Sequence, residues 1–74
     1  DLKFDLIFID PPYKEIKINQ MIDQIFEKKL LNKKGVIIIH RHKKDSVKLS
    51  EKFNVFEERI YGISKIFFGD LRID

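Results

Sequence analysis

Hydrophobic and polar positions change their period along the chain, and each change marks an element. Leu6, Ile7, Phe8 and Ile9 run without alternation, the pattern of a parallel α/β strand covered on both faces, and with Phe4 and Asp5 they predict a strand over 4–9. From Ile18 onward the period lengthens. Ile18, Met21, Ile22, Ile25, Phe26 and Leu30 make one apolar stripe, and Asn19, Gln20, Asp23, Gln24, Glu27 and Lys28 cover the other side, as in an amphipathic helix. Asn32 to Gly35 is predicted to stop this helix and reverse the chain. Val36 to Ile39, all β-branched, then forms a second buried strand. Strand, helix and strand make a βαβ unit, for which a right-handed crossover is expected.

The second half is less regular. Asp45 to Lys52 is polar with Val47 and Leu49 interspersed, and predicts a short helix or an irregular connection. Asn54 to Tyr61 alternates, with Val55, Glu57, Arg59 and Tyr61 on one face and Phe56, Glu58 and Ile60 on the other. Its charges place it near a sheet edge. Gly62 turns the chain, Ser64 to Phe68 returns as a last strand, and Asp70 to Asp74 carries little pattern and is expected to fray. Phe53, Phe56, Phe67 and Phe68 are read as core between sheet and helix.

Composition narrows the function classes. The 74 residues allow one small domain, in the size range where a single core is marginal. Fifteen Lys and Arg against 12 Asp and Glu leave a net charge of +3, compatible with an RNA partner without demanding one. Lys28, Lys29, Lys33 and Lys34 are read first as charges that suit the end of a helix. Cysteine is absent, so disulfides and thiolate metal sites are excluded. His40 and His42 lack a third histidine, and their rings are expected on opposite sides of an extended segment, so no metal is expected there. No apolar run reaches a membrane span and no leader pattern is visible, which makes a cytoplasmic setting the default expectation.

Candidate chemistry concentrates where the first strand ends, at Asp10-Pro11-Pro12-Tyr13. The prolines lack an N–H and fix φ, so the chain is expected to leave the sheet as a stiff, extended loop. This occurs at a strand's carboxyl end, where open α/β sheets bind ligands. The group suits methylation of an exocyclic amine on a flat base. Asp10 and a proline carbonyl would accept N–H bonds from the amine, orienting it and restoring lone-pair density, while Tyr13 would stack on an unpaired or flipped base. A basic rim of Lys14, Arg41, Lys43 and Lys44 is the candidate for meeting RNA phosphate beside it.

Asp10 to Tyr13 after an apolar strand matches the [DNS]-PP-[YFW] motif of S-adenosylmethionine-dependent amino-methyltransferases. The order FDLIFIDPPY, helix, GVIII, ERIYGISKIFF resembles the bacterial 16S ribosomal RNA guanine-N2 methyltransferase family over Phe4 to about Phe68. The resemblance implies the carboxyl-terminal half of a Rossmann-like class I methyltransferase sheet, with the last strand antiparallel and inserted to give the order 1-2-4-3. It implies S-adenosylmethionine as cofactor, with Asp10 touching the cofactor as well as the base, and 16S rRNA or the assembling small subunit as partner. The family often has a Glu near the end of the second strand, where this chain has His40 or Arg41. The family's Gly-rich cofactor loop has no counterpart, because Gly35, Gly62 and Gly69 stand apart. The chain is therefore expected to be part of a longer enzyme and inactive alone. An N6-adenine methyltransferase and a non-catalytic fragment that self-associates through the edge of its first strand are the alternatives.

Overall fold

The computed structural model describes residues 2–10, 15–45 and 48–72. Its elements in chain order are β1 (Phe4–Ile9), α1 (Glu15–Glu27), β2 (Leu31–His42), β3 (Phe53–Tyr61) and β4 (Ser64–Leu71). The strands form one sheet in the order β1-β2-β4-β3, with β1 and β2 parallel and β4 antiparallel to both its neighbours. This is the α/β architecture and the strand order expected.

α1 packs on one face. Ile18, Ile22 and Ile25 of the helix meet Ile9, Ile37, Ile39 and Phe53 of the sheet, all buried, with Ile22, Ile37 and Ile39 wholly so. The spacing of three and four that defines the stripe in the sequence is what brings those helical residues to one side.

α1 ends earlier than expected and by a different device. Lys29 has φ 52°. Its N–H donates to the Phe26 carbonyl at 3.3 Å, and the Leu30 N–H donates to the Ile25 carbonyl at 3.1 Å, the two bonds of a Schellman motif. Leu30 and Ile25 both join the core, as that motif favours. Gly35 therefore does not stop the helix, and no basic residue lies in its last turn. Lys28 and Lys29 belong to the turn beyond it, and Lys33 and Lys34 lie within β2.

β2 begins at Leu31 because the chain re-enters the sheet immediately after this turn. Phe4 pairs with Leu31 and Leu6 with Val36, so β2 carries an irregularity over 32–35 beside β1. The Asn32 side chain donates to Asp5 Oδ1 at 2.7 Å across it. β2 continues through His40, Arg41 and His42, which are strand residues and not a terminal loop.

β1 departs from expectation in its burial. It lies at one edge of the sheet, and on the face away from α1 Leu6 and Phe8 are 58% and 57% exposed. The apolar run thus reflects only one covered face among the described residues, that of Ile7 and Ile9.

β3 is the opposite edge, as its charges predict. A bulge between Val55 and Glu57 shifts its register. Val55 then pairs with Gly69 and shares the helix-side face with Phe53, instead of the face of Glu57, Arg59 and Tyr61. Phe56 is 55% exposed and is no core residue here, whereas Phe53 is buried and Phe67 packs partly against the core. Gly62, at φ 56°, occupies the first central position of the two-residue β3–β4 turn, where a positive φ matches the twist of the strands it joins. β4 runs on to Leu71, past the Phe68 limit read from the pattern. Between the strands Lys48–Ser50 is irregular and is tied to α1: Asn19 donates to the Lys48 carbonyl at 3.0 Å and accepts the Ser50 N–H at 2.8 Å.

Candidate active site

Asp10 follows Ile9 directly, so the ladder that fixes β1 also fixes where the carboxylate starts. It is exposed at the carboxyl end of a parallel strand, the position at which such sheets bind ligands. Pro11, Pro12, Tyr13 and Lys14 lie outside the described residues.

Cross-strand partners share a face and successive residues alternate. On the face away from α1, His40 pairs with Ile66 and Ile66 with Arg59; one step on, His42 pairs with Ser64 and Ser64 with Tyr61. This end of the sheet therefore presents a stripe from Asp10 on β1 to Arg59 and Tyr61 on β3 that is polar except at Ile66. His40 and His42, two apart in an extended strand, lie on the same side and not on opposite sides. Among the described residues no three His, Asp or Glu side chains gather as metal ligands.

Two hydrogen bonds organise the stripe at Asp10. His40 Nδ1 lies 2.8 Å from Asp10 Oδ1, and His40 Nε2 lies 2.8 Å from Ser64 Oγ. A carboxylate only accepts, so Nδ1 carries the proton, and in the neutral ring the Ser64 hydroxyl donates to Nε2. The sequence singled out His40 as a departure from the family pattern but gave no sign of this link, because Ser64 comes from β4 across a register no local pattern specifies.

At the far end of the stripe, Arg59 donates from Nε to Glu57 and from Nη1 to the Tyr61 hydroxyl at 3.3 Å. Hydrogen bonds to Tyr61 and then Glu57 raise the Arg59 guanidinium above its ordinary range, so its charge is fixed at any working pH.

The basic rim divides. Lys43 and Lys44 are exposed in the turn after β2. That turn is fastened to the β3–β4 hairpin by the Lys43 N–H donating to the Ile63 carbonyl at 2.7 Å, and Lys44 N–H donates to His42 Nδ1 at 3.1 Å. Arg41 points to the helix side, is buried, and pairs with Asp45 at 3.2 Å, so it braces the turn from beneath.

For a cofactor, the described residues offer an exposed carboxylate at the strand end. Two surface hollows of about 700 and 470 Å³ lie at the other end of the sheet, lined by residues such as Lys3, Lys29 and Leu30.

The chain is similar in sequence to two curated proteins and in fold to a solved structure. The chain is 30% identical over 63 residues to an uncharacterized methylase of Rickettsia prowazekii, which covers 85% of this chain and 27% of that protein. It is 32% identical over 57 residues to ribosomal RNA small subunit methyltransferase D of Buchnera aphidicola subsp. Acyrthosiphon pisum, 77% of this chain and 30% of that protein. The chain thus spans less than a third of the curated relatives it matches. A conserved hypothetical protein of Streptococcus pyogenes has the same fold, with a TM-score of 0.76 and 30% identity over 92% of this chain and 43% of its own. Residues 1–70, from β1 and its exposed Asp10 to β4, match the family described as conserved hypothetical protein 95, and the chain belongs to that family.

Proposed function

We propose that this chain is the base-recognising part of a methyltransferase that transfers a methyl group from S-adenosylmethionine to the exocyclic N2 amine of a guanine in 16S ribosomal RNA. The observation that carries the reading is the exposed Asp10 at the carboxyl end of β1, held by His40 and followed in sequence by Pro11, Pro12 and Tyr13. The relatives named as methylases support it.

An exocyclic amine delocalises its lone pair into the ring and is a weak nucleophile. Asp10 accepts one amine N–H and a proline carbonyl the other, which turns the nitrogen's density out of the ring plane. Tyr13 stacks on the base and fixes its tilt. S-adenosylmethionine, when bound, supplies an electrophilic methyl group on a sulfonium. Transfer would exchange an S–C bond for an N–C bond, and Asp10 or water would take the proton from the methylated, now acidic, nitrogen. Asp10 would also contact the cofactor when it is bound. Gly35, Gly62 and Gly69 stand apart and form no Gly-rich loop for the adenosyl group, and on this reading the 74 residues alone are inactive. Lys43, Lys44 and Lys14 hold the RNA phosphates, in the cytoplasm, on naked RNA or an assembling subunit.

The test is a nucleoside analysis of small-subunit rRNA from cells with the gene, without it, and with Asp10→Ala. Loss of N2-methylguanine at one position in the latter two is the expected result. An unchanged guanine overturns the assignment, and loss of N6-methyladenine instead moves the substrate to adenine.

A second reading concerns the chain by itself. β1 is an apolar edge strand with one side unpaired by any described strand, an arrangement that recruits a second copy. The isolated chain self-associates there.

A further inference from the structure

Asp10, His40 and Ser64 form a hydrogen-bonded row of carboxylate, imidazole and hydroxyl. That order is the order of a hydrolytic triad, but its polarity is reversed. In such a triad the carboxylate is buried and the hydroxyl faces substrate. Here the Asp10 side chain is 56% exposed, that of His40 30%, and the His40–Ser64 bond is the part-buried one. The row therefore delivers its order outward, to the carboxylate.

Sheet stability does not explain it. β2 is already joined to β1 and to β4 by backbone ladders, and a side-chain hydrogen bond this exposed adds little. What the row does supply is a fixed rotamer for a surface carboxylate that would otherwise turn freely. Ser64, donating to Nε2, selects the tautomer whose Nδ1–H faces Asp10. His40 then occupies one carboxylate oxygen.

Resting on the methyl-transfer reading, we propose that His40 is a positioning residue, set by Ser64, that engages one oxygen of Asp10 and leaves the other to the target amine. Its effect is on the alignment of a bound base and not on the binding of RNA, because the proposed phosphate contacts are made by other side chains, those of Lys43 and Lys44.

The experiment compares His40→Ala, His40→Asn, His40→Gln, Ser64→Ala and Ser64→Thr with wild type and Asp10→Ala in the complete enzyme, measuring kcat and KM for methyl transfer to rRNA, with thermal melting alongside. The expected result for His40→Ala is a kcat lower by about 10- to 100-fold with KM changed by less than about threefold. Asn places an amide N–H where Nδ1 lies and recovers most of the loss, whereas Gln places it one bond further out and recovers less. Ser64→Ala loses about fivefold, and Ser64→Thr, which keeps a hydroxyl, loses less than Ser64→Ala. A purely structural role would track melting temperature and would not separate Asn from Gln. Active wild type with an unaffected His40→Ala overturns the proposal alone; wild type without methyl transfer overturns it together with the reading on which it rests. Nitrogen-15 spectra of wild type give a measurement independent of variant folding: a neutral ring protonated at Nδ1 is expected, and one protonated at Nε2 overturns the proposal.

Discussion

The ring of Phe53 stands where a side chain on Gly69 would have to go: a Cβ there would lie 2.7 Å from the ring and 2.4 Å from the Asn54 carbonyl oxygen. Because β4 is fixed on both sides by ladders, neither strand can retreat cheaply. Gly69→Ala is expected to destabilise by about 1–3 kcal/mol, the usual cost of overpacking. Urea unfolding reads it, and an unshifted midpoint would show that β3 gives way.

Lys29 holds a left-handed φ with a side chain, where the Schellman motif usually takes glycine. Lys29→Gly is expected to stabilise by about 0.5–1 kcal/mol by removing the Cβ strain. A lower melting temperature would mean that flexibility gained by the unfolded chain outweighs that strain.

Ile37 is wholly buried against α1, and Phe8 is exposed on the opposite face. Ile37→Ala is expected to cost about 2–5 kcal/mol in any form of the protein. Phe8→Ala should cost under about 0.5 kcal/mol in the isolated chain and several times more wherever a longer polypeptide covers that face. Equal costs for Phe8→Ala in both would show that this face stays open to water.

The edge of β1 makes self-association measurable. Sedimentation of the isolated chain is expected to show dimers or larger species, and Leu6→Lys, which puts a charge on the edge strand, to return them to monomer. A wild-type monomer at high concentration would remove that reading.

Exposed Lys43 and Lys44 predict a salt-dependent contact. Replacing both by Ala should weaken RNA binding and reduce the slope of log affinity against log salt by about 1.4, two charges at ~0.7 each on single-stranded RNA. An unchanged slope would place the phosphates elsewhere.

Much of this architecture is legible in the chain itself. The helix stripe and the two parallel strands follow from local period, because burying one stripe against one sheet face leaves few alternatives. The end of β1 just before Asp10 is legible for a similar reason: an apolar run that meets an acid and two prolines cannot continue as a strand. What the pattern concealed is non-local or paid for by a neighbour. Lys29 carries no glycine signal because two backbone bonds and the Leu30 contact offset its strain. The β3 bulge exchanges the faces of Val55 and its neighbours with no residue that announces it. Arg41 reads as an exposed cation because nothing local shows that a strand continues beneath it and turns it toward Asp45. His40 and Ser64 are unremarkable apart and meaningful only in the register of β2 with β4.

The insertion of β4 between β2 and β3 also has a consequence in time. β3 is synthesised before β4, and among the described strands β4 is its one neighbour. While residues 64–71 are still within the ribosome, β3 has no edge to join and His40 has no hydroxyl behind it. The first two strands and the helix can collapse early, since their contacts are close in sequence. The Asp10–His40–Ser64 row therefore closes last, so a nascent chain at that stage holds Asp10 and His40 without the Ser64 hydroxyl.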